Sequence, residues 1–309
     1  MTNLVVRRHL SLVRQPSHFS TPGRRGLLQG VLAYSLWGIV PAYWKLLDGV
    51  NPIELIAHRA IWGGVSLAIL VVVAGQVGAL RAALRQPRLI AVMMLSSGVL
   101  AVNWAVFVWA TISGHLLEAS LGYFINPLVS IALGTLVLGE RIQRLQRIAI
   151  ILAALGVGVL TWRAGRVPWI ALVLAFSFGT YGLVRKMARV EALVGSTIET
   201  MLLAPAAVIY LIVISPHGAF GHSSASTELL LIGTGIVTAV PLVLFTSAAR
   251  RLPLSKIGAL QYLAPTGQFL LAAIAYGEPL TRERLAAFIL IWVGLVVFTA
   301  DLWRATRDA

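Results

Sequence analysis

The chain has no cysteine in 309 residues, and only 12% of its residues are charged. The first absence excludes disulfide scaffolds, thiolate zinc or iron–sulfur sites, and cysteine nucleophiles. The second excludes an ordinary soluble domain, where about a quarter of residues carry charge. Acidic residues are the scarcest, 11 Asp+Glu against 25 Lys+Arg, for a net charge of +14. Also missing are a G-x-x-x-x-G-K-[ST] phosphate loop and an H-E-x-x-H zinc motif, which argues against ATP hydrolysis and that class of protease. Asp48, Asp301 and Asp308 fall at or beyond the ends of apolar runs, so aspartyl intramembrane proteolysis fails too. What the chain has instead is apolar surface: 58% hydrophobic residues and a mean hydropathy of +0.86. The length would hold two soluble domains, but this composition cannot give each a polar surface. An integral membrane protein is the class that remains.

Each membrane-spanning helix needs roughly 17–25 mostly apolar residues. Ten such runs are expected, near 27–46, 54–74, 89–112, 117–138, 147–162, 168–184, 194–214, 229–249, 257–276 and 285–303. Their apolarity is unbroken, as in LVLAFSFG and ILAALGVGVL, whereas barrel strands alternate polar and apolar residues.

Basic residues mark alternate connections. With an inward start, five arginines lie in the leader (Arg7, Arg8, Arg14, Arg24, Arg25). Sets of three follow at Arg81/Arg85/Arg88, Arg141/Arg144/Arg147, Arg185/Lys186/Arg189 and Arg250/Arg251/Lys256, then Arg304 and Arg307, giving nineteen of the 25. The positive-inside rule then puts both termini in the cytoplasm, and it explains the basic excess without nucleic acid. Residues 1–25 read as a flexible basic leader; after Arg7-Arg8 the LSLV stretch is too short for a signal sequence. The polar segment 215–227 is the one sizeable outer loop, and its His217 and His222 read as solvated rather than metal-binding.

The two halves repeat. At an offset of 138, Pro127 matches Pro265, Gly139-Glu140 matches Gly277-Glu278, Gly156 matches Gly294, Phe107 matches Phe245 and Ala110 matches Ala248. Five spans per copy is odd, so the second copy enters the membrane from the opposite side, as in secondary transporters. The expected fold is all-α integral membrane, ten transmembrane helices in two inverted five-helix repeats. Its parts are a leader (1–25), the repeats 26–165 and 166–303, and a tail (304–309). The stretches GVLAYSLWGIVPAYWK, NPIELIAHRAIW, NWAVFVWA, EASLGYFINPLVSIALGTLVLGERIQRLQ, PWIALVLAFSFGTYGLVRK and STIETMLLAP resemble the RarD-type permeases of the EamA branch of the drug/metabolite transporter superfamily. The resemblance runs from about Gly26 to Trp303, and EASLGYFINP…GE is its most specific part. It implies ten helices in inverted repeats and transport across the bacterial cytoplasmic membrane. It names no substrate.

Ionisable side chains inside spans are functional candidates by default. Lys45, Glu54, His58, Arg59 and Glu118 converge on the outer half, and Arg59 needs a carboxylate partner, Glu54 or Glu118, in the empty carrier. Snorkelling to the interface is the alternative for Lys45 and Glu54. Tyr123, Pro127 and Ser130 share one helical face, and Gln261, Pro265 and Gln268 are their repeat equivalents. Asn126 adds an amide beside Pro127; Asn103, Trp104 and the mid-span Trp37 add another amide and aromatic faces. Glu199 is the inverted counterpart of Glu54, either an inner-gate carboxylate or an interfacial residue. Glu140 and Glu278 follow spans four and nine, where capping and ion pairing with neighbouring arginines are expected. These residues point to a secondary transporter of a small metabolite or amphipathic solute, exporting it by alternating access. Its partners are that solute, coupled protons and the bilayer; no cofactor or metal is expected. A lipid-modifying enzyme built on His58 and Glu118, or a channel, are the alternatives.

Overall fold

Helix boundaries here follow local chemistry. Asn51 accepts the Ile53 amide (2.9 Å), Pro52 takes the first helical position and Glu54 sits in the first turn, which together start a helix. Ser224 does the same for a later one by accepting the Thr227 amide at 3.3 Å. The computed structural model describes residues 21–112, 115–140, 169–214 and 217–271, with isolated positions at 147–148, 151, 154–155, 158, 162, 274, 285, 289 and 292–293. Apart from those isolated positions, the expected fifth and tenth spans lie outside these residues, as do the leader up to residue 20, the tail, Glu278 and the side chain of Glu118.

The described helices are α1 (Thr21–Lys45), α2 (Pro52–Val73), α3 (Val77–Leu84), α4 (Pro87–Ile112), α5 (Leu116–Leu136), α6 (Trp169–Met187), α7 (Ala192–Ile209), α8 (Ala225–Arg251), α9 (Leu254–Leu260) and α10 (Leu263–Leu270). A π-turn, Tyr210–Ile214, extends α7. Segments Pro52–Val73, Pro87–Phe107, Trp169–Met187, Ala192–Val213 and Ala225–Arg251 are long and apolar enough to cross a membrane. Their outward faces carry exposed Ile69, Val73, Met94, Val102, Ile212 and Ile236. In water such a surface would be an aggregation liability; in a bilayer it is the lipid face. Short α3, in the connection between the second and third apolar runs, buries Ala83 against Leu89, Met93, Val190 and Val194.

The ninth expected span is not one helix. It breaks at Gln261–Tyr262 between α9 and α10. Pro265 has no amide to give the Gln261 carbonyl four residues back, and the Ala264 amide takes that carbonyl at 3.3 Å in a tighter turn. Pro41 frees the Trp37 carbonyl of α1 in the same way, and the Gln268 side-chain amide reaches across to it at 3.3 Å.

Contacts at the helix ends give the directions. The Tyr43 hydroxyl at the end of α1 donates to the Leu230 carbonyl at the start of α8, 2.6 Å. At the opposite end Gly26 of α1 packs on Arg251 and Leu252, and Lys186, closing α6, donates to the Leu252 carbonyl. So α1 and α6 run in opposite directions, and Arg24, Arg25, Arg189, Arg250 and Arg251 gather at one basic end. Helices α5 and α9 pack side by side, with Gly258 against the Pro127 carbonyl.

Two sets of close approaches then repeat. Gly30 of α1 meets Leu260, as Ala171 of α6 meets Gly122; Gly38 meets Gly267, as Gly179 meets Val129. Gly30 and Ala171 are 141 positions apart, as are Gly38 and Gly179, while Gly122 to Leu260 and Val129 to Gly267 are both 138. Two pairs of equivalent residues touch each other: Trp37 and Phe178 with ring centroids 6.0 Å apart, and Phe124 and Tyr262, whose hydroxyl donates to the Phe124 carbonyl at 3.4 Å.

Candidate solute site

Arg59 lies seven residues into α2, about 10 Å from its start at the less basic end. Its Nε donates to Thr238 Oγ1 of α8 at 3.2 Å. Its guanidinium carbon stands 4.9 Å from the Trp44 ring centroid and 5.1 Å from that of Trp104. Tyr123 is within electrostatic range, and its ring meets Phe107 at 5.8 Å. Four helices besides α2 therefore surround one half-buried cation: α1, α4, α5 and α8.

The expected Glu54–Arg59 pair is not present. Five residues along a helix amount to about 140° of rotation, so Glu54 and Arg59 leave α2 on different sides. Glu54 instead accepts the Ala219 amide at 2.6 Å and lies 3.7 Å from His58 Nε2, four residues on. Phe220 packs on His58 (5.2 Å) and Trp62 (6.0 Å), so the loop before α8 folds down over the start of α2. Among the described residues no carboxylate faces Arg59; the alternative partner, Glu118, has its side chain outside them. Lys45 is exposed in the last turn of α1.

The Tyr123–Pro127–Ser130 face and its counterpart are divided among several duties. Ser130 and Gln261 are buried and bond to each other across α5 and the α9–α10 break, at 3.1 Å from Gln261 Nε2 to Ser130 Oγ. Gln268 serves the Trp37 carbonyl, and Pro127 and Pro265 are both buried. Asn126 is buried with its Oδ1 unsatisfied. Asn103 donates to the Leu174 carbonyl (3.0 Å) and Ser177 Oγ (2.9 Å), joining α4 to α6. Trp37 packs with Tyr34, Phe178 and Phe245 in the centre of the bundle.

A second charged cluster lies towards the basic end. Glu199 is fully buried (0% exposed), 3.6 Å from Arg185 Nε, and it accepts the Ser96 hydroxyl and, at 3.3 Å, the Tyr181 hydroxyl. Arg185 also donates to the Ala192 carbonyl (3.1 Å) and touches Met93 Sδ (3.4 Å). Gly195 leaves room for the guanidinium, which a Cβ there would strike. Glu199 is thus a core ion-pair partner rather than an interfacial residue, and Arg185, counted above with the basic connections, lies inside the bundle. At this end Glu140 accepts the Leu254 and Ser255 amides (2.7 and 2.9 Å) and the Ser255 hydroxyl (2.9 Å), with Lys186 at 3.7 Å. Capping and pairing are the roles expected of it, with lysine in place of arginine.

Trp44, Thr238, Phe220, Arg185 and Tyr181 carry no motif that singles them out in the sequence. The one signal was compositional: an arginine inside LVRKM, placed one residue deeper than its neighbour Lys186. Histidine, carboxylate and hydroxyl groups are present near Arg59 and Glu54, but no group of three His, Asp or Glu suited to a metal occurs among the described residues.

The EamA-like transporter family model matches this sequence twice in succession, over residues 24–162 and 167–300. Protein RarD of Escherichia coli is 47% identical over 280 residues, covering 90% of this chain and 95% of that protein. An uncharacterized transporter of Pseudomonas aeruginosa is 44% identical, covering 92% and 96%. The uncharacterized transporter YojE of Bacillus subtilis is 40% identical over 89% and 94%. One crystal structure superposes with a TM-score of 0.70 over 90% of this chain and 98% of its own, at 23% identity, a likeness of fold.

Proposed function

This chain belongs to the EamA-like transporter family, and from that premise and its site we propose that it is a secondary transporter exporting a small metabolite or amphipathic solute. It works by alternating access between two inverted five-helix repeats, ten spans in all, with both termini cytoplasmic. The observation that carries this reading is the pairing of equivalent residues, Trp37 with Phe178 and Phe124 with Tyr262, between helices of opposite direction. A pseudo-twofold axis in the membrane plane accounts for it. Two such halves have two related ways of leaning on each other, and rocking between them exposes a central site to either side.

The Arg59 site belongs to the outer half and the Arg185–Glu199 cluster to the inner. A site facing outward is closed from the cytoplasm by that cluster, which ties α4, α6 and α7 together. Inward opening must separate or shift those helices. Glu118 carries the coupling proton in this reading.

The test is counterflow. Proteoliposomes containing the purified protein, loaded with extract from cells lacking the transporter, should take up labelled solutes transiently above equilibrium. Candidate solutes come from comparing media of overexpressing and deletion cells. Non-saturable flux without counterflow would mean a channel, and product formation would mean an enzyme.

A further inference from the structure

We propose that the Arg59 site selects a monocarboxylate with a flat apolar body. This rests on the transporter reading above and names the class of solute. The geometry around the guanidinium is incomplete in one specific way. Nε is used by Thr238, and the two tryptophan faces hold the cation without accepting any of its N–H groups. Among the described residues nothing accepts from the two terminal nitrogens. Those nitrogens form the planar fork that matches a carboxylate with two parallel hydrogen bonds.

The neighbourhood decides the charge. Glu54 is spent on Ala219 and His58 on the far side of α2. With the coupling proton on Glu118, as proposed above, the described residues offer one positive charge, which one carboxylate balances. A dianion would leave a charge unpaired, and an amine would meet the cation directly; both are costly where water is scarce. The rest of the described lining, Trp44, Trp104, Tyr123 and Phe107, is aromatic. A flat apolar body stacks against such faces, and a sugar-like body would lose hydrogen bonds to water without replacement.

Three probes share one skeleton and differ in charge: phenylacetate, phenylacetamide and phenethylamine. Each is titrated into the purified protein in detergent while tryptophan fluorescence is followed, and each is tested for counterflow in proteoliposomes. Saturable quenching by phenylacetate is expected, with the amide at least about tenfold weaker and the amine weaker still. The signal should shrink in Trp104→Phe, fall in Arg59→Lys and vanish in Arg59→Gln. The probe comparison is made on the wild-type protein, so a variant that fails to fold does not decide it. Equal binding of the amide, tighter binding of the amine, or no binding of phenylacetate at millimolar concentration overturns the proposal. Counterflow of the amine would then leave the transporter reading standing. Phenylacetate binding without counterflow of any solute would sink the transporter reading and leave the selectivity intact.

Discussion

Arg59 and Arg185 are both inside the bundle, and their surroundings give them opposite duties. Arg185 is held by Glu199 with Ser96 and Tyr181 completing the carboxylate's hydrogen bonds. Removing one member of such a buried pair leaves the other charge without compensation, at about 3–5 kcal/mol. Glu199→Gln should therefore lower the thermal midpoint markedly in detergent. Arg185→Met combined with Glu199→Leu should recover part of that loss, since both charges are gone. Arg59 has no such partner among the described residues. Arg59→Ala should change stability by no more than about 1 kcal/mol, the scale of its one hydrogen bond to Thr238, while transport is lost. A large fall in stability with transport retained would reassign Arg59 to the scaffold. Glu118→Gln, mimicking the protonated acid, should abolish proton-driven net transport and leave solute exchange working; normal accumulation against a gradient would remove Glu118 from the coupling step.

At the scale of elements, the protein connects one helix to the next repeat through its ends. Gly139 adopts a positive φ of 66°, which lets the Glu140 amide bond back to the Gly134 carbonyl at 3.0 Å and closes α5. That turn aims the Glu140 carboxylate at the free amides opening α9, a helix from the other half. Glu140→Ala should cost about 2 kcal/mol, a charged cap plus its lysine, and Glu140→Gln less. Thermal unfolding in detergent measures both. The Trp37 carbonyl offers a sharper test. Gln268→Leu leaves it buried and unpaired, at about 1–3 kcal/mol. Pro41→Ala gives that carbonyl a helical amide again, so the double variant should be more stable than Gln268→Leu alone. Additive losses would show that Gln268 acts elsewhere.

For the whole molecule, the proposed alternating access requires the two halves to form a bistable pair. The absence of cysteine makes the axis directly testable. A bifunctional thiol cross-linker joining Phe124→Cys to Tyr262→Cys should change transport little, because residues on a rotation axis stay together while the halves rock. A thiol cross-link tying Met93→Cys to Val194→Cys at the basic end should block transport by holding the inner side closed. Inhibition by the axial bridge and none by the basic-end bridge would contradict rocking about this axis. Reporter fusions after residues 48 and 220 should report an external location and one after residue 190 a cytoplasmic one; reversal would invert the assignment of ends.

Periodicity and charge alone determined much of this protein. Apolar runs mark helices because lipid leaves the backbone no other partner, and seven of the expected runs coincide with single described helices or a helix and its π-turn. The offset of 138 marks the α5 and α9–α10 pair because a duplicated sequence keeps its register. Glu54, Arg59 and Glu199 stand out in the sequence because a charge in a span is expensive wherever it lies. Their partners do not. Which side of α2 carries Arg59 depends on rotation about the helix axis, and which residues meet it depends on α1, α4 and α8 arriving from distant parts of the chain. Trp44, Trp104 and Thr238 become one site, and Ser130 and Gln261 become each other's partners, only when helices pack. Tertiary structure decided those pairings, because hydrogen bonds and ion pairs inside a membrane are settled by what lies within a few ångströms, and sequence spacing fixes that distance only within a single helix.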